Sequence, residues 1–269
     1  MKCIGILGCG NMGSAIGRAI ATSDTLNCDL LLFDVDTDKA AILASDVSGT
    51  IASSIEELNK KADITILAIK PQVFPKAYPM LCEEKGHPYI SIAAGVSIQT
   101  LSHHLDSDQI VRFMPNIAAT VGKAVTAVAS HDEADAAVKE FSIRVAKCFG
   151  TVTMLPESLF PAFIGISGSA IAFFYQFLHG ISLGGTEAGI PYNKSVTIAS
   201  ETFAGAVELL NKSGSDPMAL LTSVISAGGT TIAGIHELER GNLNGTLMSA
   251  VETTTKRAIE LERLAQENV

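Results

Sequence analysis

A glycine-rich turn near the start of the chain carries the clearest chemistry. Gly8, Gly10 and Gly13 form the pattern GxGxxG in the segment GCGNMG, directly after a short apolar run. In that context the glycines permit a tight turn, let the backbone approach a pyrophosphate, and aim the N-terminus of the next helix at the phosphates. The turn therefore predicts a dinucleotide site, which includes Asn11 and Met12.

A carboxylate stands where such a site meets the adenine ribose. Asp34 ends the second apolar run, about 20 residues past the glycine turn, a spacing at which an acidic side chain accepts hydrogen bonds from the ribose hydroxyls. Its charge would repel a 2′-phosphate, and no arginine follows nearby, so these residues favour NADH over NADPH. Lys39 is still within reach of such a phosphate, and a simple capping or turn role for Asp34 is the alternative.

A second glycine-rich stretch lies far downstream. The segment SAGGTT, from Ser226 to Thr231, precedes a run that is typical of an amphipathic helix. The start of a helix offers unpaired N–H groups and a partial positive charge, and the hydroxyls of Thr230 and Thr231 add donors at the same place. With Gly228 and Gly229 allowing close approach, the segment suits an anion; an ordinary threonine-capped helix is the alternative.

Further candidates follow the ends of three predicted strands. Ligands of open parallel sheets bind at the carboxyl ends of the strands, so residues just after these apolar runs are expected to line the nicotinamide end of a dinucleotide. A structural loop role is the alternative for each of them. The candidates are Ala68, Ile69, Lys70, Pro71, Ala93, Ala94, Gly95 and Asn116.

The composition argues against several other kinds of partner. The 269 residues carry a formal net charge of -9, which leaves no basic field for nucleic acid or an anionic membrane. Five scattered cysteines without a CxxC pair fit reduced thiols in a cytoplasmic protein better than a disulfide framework. The six histidines show no metal-ligand spacing, so no metal is expected.

Strand and helix signals alternate over the first part of the chain and then change. The alternation predicts right-handed crossovers and a mostly parallel sheet covered by helices on both faces. Beyond it only helices are predicted, the last from about Gly245 to Gln266. The expected fold class is α/β: a Rossmann-type doubly wound sheet over residues 1–155, the dinucleotide-binding domain, followed by an all-α domain over residues 156–269.

Two helix starts in the first part show capping patterns. Ser54 and Glu57 in SSIEEL form a capping box at the start of a short helix. Ser130 and Glu133 are likewise expected to cap a helix, which closes at Gly150. Each pattern places the boundary between a loop and a helix.

One segment of the second part has no charged residue at all. The stretch from Ser158 to Thr186 is long enough to span a bilayer. It contains several polar residues and lacks a flanking basic cluster, so a buried helix is expected in place of a membrane span. The high mean hydropathy of +0.33 suggests that part of this burial is between subunits.

These segments together resemble the pyrroline-5-carboxylate reductase family nearly end to end. The resemblance rests on GILGCGNMGSAI, LAIKPQ, SIAAGVS, RFMPN, ISGSAIAFFY, GGTEAGI and SAGGTTIAGIHELERG, in that order. It implies a Rossmann domain followed by a helical substrate-binding and dimerisation domain, and homodimers that often assemble into larger rings. The implied reaction is hydride transfer from NAD(P)H to the imine carbon of 1-pyrroline-5-carboxylate, which gives L-proline in the last step of proline biosynthesis.

The resemblance also assigns roles to individual residues. It implies that the Thr231 hydroxyl bonds the imine nitrogen, that the backbone of residues 228–231 holds the substrate carboxylate, and that Lys70 and Pro71 lie beside the nicotinamide ribose. Family members commonly use NADPH and have small or basic residues after the second strand, so Asp34 departs from the pattern.

Other departures lie in the helical part. Ala170 and Ile171 replace the family's usual Gly-Pro, Ala227 replaces a proline, and Pro161 stands where an acidic residue is common. None of these changes removes a group that the reaction needs.

Three other functions compete with this interpretation. A β-hydroxyacid dehydrogenase shares the plan of a Rossmann domain followed by helices, but that family has a lysine soon after its glycine-rich helical motif, whereas the next lysine after Gly168 is Lys194. A different imine reductase is the second alternative. A paralogue that binds nucleotide without turnover is the third, and only the changes at positions 170, 171 and 227 favour it.

Overall fold

An eight-stranded sheet forms the first part of the molecule. The computed structural model describes residues 2–266. Neighbouring strands are parallel except β6 and β7, which are antiparallel, and the spatial order is β3-β2-β1-β4-β5-β6-β7-β8. The strands are β1 Cys3–Leu7, β2 Asp29–Phe33, β3 Thr50–Ile51, β4 Ile64–Leu67, β5 Tyr89–Ser91, β6 Ile110–Pro115, β7 Ala124–Ser130 and β8 Gly150–Met154.

Helices connect the strands and then form the rest of the chain. Those of the first part are α1 Asn11–Ala21, α2 Thr37–Val47, α3 Ile55–Lys61, α4 Phe74–Leu81, α5 Ile98–Leu105 and α6 Ala136–Lys147. Those that follow are α7 Phe160–Phe163, α8 Ala170–Glu187, α9 Tyr192–Ser213, α10 Pro217–Ser223, α11 Thr230–Arg240 and α12 Leu243–Gln266, with a π-helical turn at Ile164–Gly168 between α7 and α8. The predicted α/β class, with a helical second part, is confirmed.

Two apolar layers cover the sheet, one on each face. Because side chains alternate along a strand, residues such as Ile4 and Ile6 of β1 point to one face, where α1, α2 and α6 pack. Leu7 of the same strand belongs to the other layer, which contains residues of α3, α4, α5 and α7. Burial on both faces explains why the strands are nearly continuous apolar runs.

The sequence patterns identified most elements but misplaced two features at the end of the sheet. The helix expected from a cap at Ser130 and Glu133 begins only at Ala136, with Asp135 as N-cap and no side-chain cap bond, so that cap was wrong. Ser130 is still part of β7, and Gly150 begins β8, a strand that was not predicted. Its sequence GTVTM does show the alternation and branched residues of a strand.

By contacts the chain forms two compact units. The first contains the residues up to Gly168 together with those from Thr254 onward, and the second contains Ser169–Thr253. This division differs from the boundary expected at residue 155, because the turns after β8 pack with the sheet and because the second part of α12 belongs to the first unit. The sheet unit is therefore discontinuous in sequence.

Most of the long uncharged helix is exposed within the single chain, so the expected burial is not supplied by this chain alone. Within residues 170–187, Ser182 is the only residue of α8 that is buried. The large apolar side chains of Phe174, Tyr175 and Leu183 are exposed. By length and composition alone, Glu157–Glu187 could cross a membrane, and it is the one such stretch among the described residues. Exposed apolar side chains in this number indicate an interaction surface.

Acidification is expected to destabilise the sheet unit through His87. Burial lowers the pKa of this side chain to about 4, against the weaker opposing effect of Asp63, and the ring pairs with the Thr65 hydroxyl at 2.9 Å. The unfolded chain binds the proton below its pKa of about 6.5, whereas the native state does not until about pH 4, so stability falls as the pH drops through this window. Between pH 7 and pH 5 we expect a loss of about 2 kcal/mol.

A matched pair of unfolding experiments measures this contribution. Denaturant unfolding at pH 7 and pH 5 is compared for the wild type and His87→Gln, whose side chain stays neutral and can still bond a hydroxyl. The variant should lose less stability than the wild type on acidification, by about 2 kcal/mol. Equal losses in both proteins would show that His87 is not the group responsible.

Candidate active site

The glycine turn between β1 and α1 has the geometry of a phosphate cradle. Gly8 has a positive φ of 103°, and a Cβ there would lie 2.6 Å from the Ala68 carbonyl oxygen. A Cβ on Gly13 would lie 2.0 Å from the Gly8 carbonyl oxygen, whereas nothing lies within 4 Å of one on Gly10. Helix α1 starts at Asn11 with no side-chain cap bond, so no capping side chain occupies its first N–H groups, and such a helix start suits an anion.

Asp34 lies against this turn, as its spacing predicted. Its Oδ2 accepts the Cys9 N–H at 2.6 Å, and its Oδ1 accepts the Asp36 N–H at 2.9 Å. The carboxylate therefore ties the end of β2 to the glycine turn. Burial, with a smaller contribution from Asp34, raises the pKa of the Cys9 thiol to about 12, which keeps this cysteine neutral and a poor nucleophile.

A groove of about 310 Å³ runs beside the turn, lined in part by Gly10, Asn11, Arg18 and Lys39. Each of the two cations already has an acidic partner. Lys39 Nζ is 2.8 Å from Asp36 Oδ2, and Arg18 contacts Asp46 at 2.7 Å; the Lys39 hydrogen bond lowers the pKa of Asp36. With these pairs formed, the unpaired charge beside the turn is that of Asp34. The sequence did not indicate Arg18, because a base that contacts a 2′-phosphate is expected after β2 and not on α1.

The other cofactor candidates lie at the same edge of the sheet. Ala68 follows β4, and its N–H donates to the Leu7 carbonyl at 2.8 Å, which places it beside the glycine turn. Ile69, Lys70 and Pro71 continue from it, with Lys70 exposed. The turn Ala93–Gly95 follows β5, and Gly95 has a positive φ of 81°.

Asn116 follows β6 and is buried with both ends of its amide engaged. Its Nδ2 donates to the Ser167 Oγ at 3.0 Å, and its Oδ1 accepts the Ala118 N–H at 3.2 Å. Ser167 lies in the π-helical turn before α8, a feature that is frequent at functional sites. The sequence did not indicate this partner, although the motif ISGS contains it.

The second glycine-rich stretch lies in the other compact unit. Gly228 has a positive φ of 69°, and a Cβ on Gly229 would lie 2.2 Å from the Ser226 Oγ. Helix α11 begins at Thr230 with Gly229 as N-cap and no side-chain cap bond. Thr230 and Thr231 are exposed, so the donors of this helix start are open to a ligand.

A larger cavity is lined by none of these candidate residues. It measures about 820 Å³ and is lined by α5 and by the residues at the ends of β7 and β8. Because β7 is antiparallel to β6, the carboxyl ends of β7 and β8 lie at the opposite edge from that of the glycine turn. Size alone therefore does not identify the active site. No group of three metal-ligating side chains occurs among residues 2–266.

Comparison with known proteins gives a consistent result over the whole chain. Residues 157–261 match the model of pyrroline-5-carboxylate reductase dimerisation regions, and residues 3–95 match that of coenzyme F420-dependent NADP oxidoreductases. A pyrroline-5-carboxylate reductase of Arabidopsis thaliana is 34% identical, covering 97% of this chain and 95% of that protein.

Solved structures give the same match. A 1-pyrroline-5-carboxylate reductase from Streptococcus pyogenes has a TM-score of 0.83 at 30% identity, covering 95% of this chain and 97% of the other. A pyrroline carboxylate reductase of Plasmodium falciparum with NADP bound has the same TM-score at 25% identity, covering 97% and 98% of the two chains.

Proposed function

The chain belongs to the pyrroline-5-carboxylate reductase family, and from this we infer that it reduces 1-pyrroline-5-carboxylate to L-proline. It is an NAD(P)-dependent oxidoreductase that acts on a C=N bond. The observation that carries this function is the 34% identity to a pyrroline-5-carboxylate reductase over 97% of the chain. The glycine turn and the open start of α11 supply the two groups of residues that the reaction needs.

The residues present fit a dinucleotide. Gly8 and Gly13 leave no space for a side chain, and the space above Gly10 is open, as expected of a cradle for a pyrophosphate. We propose that Gly10, Asn11, Met12 and Gly13 hold the phosphates, that Asp34 binds the adenine ribose, and that the edge residues 68–71, 93–95 and Asn116 line the nicotinamide end. When bound, the cofactor supplies the hydride.

Asp34 supports a preference for NADH. Since Lys39 and Arg18 are each paired with an aspartate, neither is a free cation for a 2′-phosphate, and Asp34 adds an unpaired negative charge. NADPH is the alternative cofactor, and the Plasmodium falciparum relative was solved with NADP.

The start of α11 is the proposed substrate site. The N–H groups of Gly228, Thr230 and Thr231 and the Ser226 and Thr230 hydroxyls would hold the substrate carboxylate, since an uncapped helix N-terminus favours an anion. The Gly229 N–H closes the turn by donating to the Ser226 carbonyl at 3.0 Å. The Thr231 hydroxyl would bond the imine nitrogen. An iminium already carries the proton that the reduced nitrogen needs, so these residues act by orienting the ring, and no strong protein acid is required.

Removing the Thr231 hydroxyl is expected to reduce kcat/KM for pyrroline-5-carboxylate. Loss of one neutral hydrogen bond in the transition state corresponds to about 1–3 kcal/mol, or roughly 5- to 150-fold. Steady-state kinetics compare Thr231→Ala with Thr231→Ser, which keeps the hydroxyl and should retain most of the activity. An alanine variant as efficient as the wild type would remove Thr231 from the site.

The function is tested by following NADH absorbance with pyrroline-5-carboxylate as substrate and proline as the expected product. The competing reaction is that of a β-hydroxyacid dehydrogenase. It is assayed as the oxidation of 3-hydroxyisobutyrate by NAD⁺. Turnover only with the imine supports the proposal. A folded, nucleotide-binding protein that gave no turnover with the imine would contradict it.

The chain forms a homo-oligomer through its helical part, since residues 157–261 match the family's dimerisation region. The exposed apolar side chains of α8 are then covered by a second copy. We propose that the dimers assemble further into a ring and that the protein is cytoplasmic, in keeping with its five free cysteines. Light scattering would test the ring, which requires a mass of several dimers of the 28.1 kDa chain.

A further inference from the structure

A buried arginine within β6 joins three parts of the first unit. Arg112 of β6 is only 2% exposed, its Nη1 lies 2.7 Å from Glu157 Oε1, and its Nη2 lies 3.1 Å from Glu262 Oε1. The guanidinium carbon also lies 5.1 Å from the centre of the Phe160 ring. A buried cation is stable only when it is paired and hydrogen-bonded, so both carboxylates belong to the structure of this site.

The two carboxylates come from segments far apart in sequence. Glu157 follows β8, whereas Glu262 lies near the end of α12, 150 residues beyond Arg112. The Glu262 bond therefore fixes the last turns of α12 on the sheet unit.

Both glutamates lie beside the turn that connects β5 to α5, Glu157 through its carboxylate and Glu262 through its backbone. Glu157 Oε1 also accepts the Ile98 N–H at 2.8 Å, at the first residue of α5. At the other end of the turn, a Cβ on Gly95 would lie 3.0 Å from Ala265 Cβ and 3.4 Å from Glu262 Cα. The turn is thus confined by Glu157 on one side and by the end of α12 on the other.

We propose that Arg112 and Glu262 are positioning residues for the cofactor: their ion pair holds the end of α12 against Gly95 and so sets the position of the Ala93–Gly95 turn. The inference rests on the proposed function, in which this turn lines the nicotinamide end. A displaced turn should misplace the nicotinamide. Binding of the adenosine half should be unchanged, because that half contacts the glycine turn and Asp34.

Binding of a whole dinucleotide and of its adenosine half separates this role from general stability. Titration calorimetry with NADH and with ADP-ribose is performed on the full-length wild type and Glu262→Ala. The expected result is an about tenfold weaker affinity for NADH, in line with the cost of small displacements at a site, with an unchanged affinity for ADP-ribose. The kcat should also fall, since orientation of the nicotinamide is altered.

Two further variants serve as comparison. Glu262→Gln keeps an oxygen that accepts the Arg112 hydrogen bond and should restore NADH affinity to within about threefold of the wild type. Glu260→Ala removes an exposed carboxylate of the same helix, paired there with Arg257, and should match the wild type.

The outcomes distinguish this proposal from the function on which it rests. Glu262→Ala with wild-type NADH affinity and kcat would overturn the positioning role, as would an equal loss of NADH and ADP-ribose binding. A wild-type protein that bound neither nucleotide would instead overturn the proposed function before any variant is compared.

Discussion

Replacing Gly13 with alanine is expected to abolish tight dinucleotide binding. The added Cβ would lie 2.0 Å from the Gly8 carbonyl oxygen and 3.1 Å from Ala68 Cβ, so the turn itself must move, and no flexible side chain can absorb the change. A shifted turn no longer aims the N-terminus of α1 at the pyrophosphate. We expect the Kd for NADH to rise by at least about 100-fold, corresponding to about 3 kcal/mol.

Gly10 provides the matched comparison for this variant. A Cβ there meets nothing within 4 Å in the protein, so Gly10→Ala should fold with wild-type stability and yet hinder the ligand that occupies this space. Gly13→Ala should lower both thermal stability and NADH affinity. Calorimetric titration and thermal unfolding of both variants separate the two effects, and a Gly13→Ala protein with a Kd within threefold of the wild type would refute the cradle.

The parts of this site that depend on neighbouring residues were readable in the sequence. A tight turn followed by a helix needs glycine at particular positions, and Asp34 reaches the turn because a parallel strand returns at a nearly fixed spacing. The same holds for the uncapped glycine entrance to α11. In each case the chemistry and the backbone requirement lie within a few residues of each other.

Features that depend on distant packing were not readable. The bond between Arg112 and Glu262 joins residues 150 positions apart, and a charged residue near a chain end has no pattern that distinguishes a buried partner from a solvated one. The same limit explains α8: an uncharged run predicts that the helix is covered, but not whether the chain itself or another copy covers it. Long-range contacts and assembly set these features.

The charge around Asp34 leads to the second large effect. Lys39 and Arg18 are the cations of the groove, and each is within 2.8 Å of a carboxylate. A 2′-phosphate would have to compete with Asp36 or Asp46 for them while facing Asp34. Two like charges about 5 Å apart near a protein surface repel by on the order of 3 kcal/mol, less where water screens them.

Asp34→Asn should therefore shift the enzyme towards NADPH. The amide removes the charge, and its oxygen can still accept the Cys9 N–H that ties β2 to the glycine turn, whereas the bond from the Asp36 N–H is lost. We expect the ratio of kcat/KM for NADPH to that for NADH to rise about 10- to 100-fold. The comparison is Asp38→Asn, which removes an exposed carboxylate of the first turn of α2. The NADPH-to-NADH ratio of this variant should change little.

High salt should raise the wild-type ratio in the same direction, because it screens the repulsion. An unchanged ratio in Asp34→Asn, or a wild type that strongly prefers NADPH, would show that the paired cations are released to the phosphate and that Asp34 does not select the cofactor.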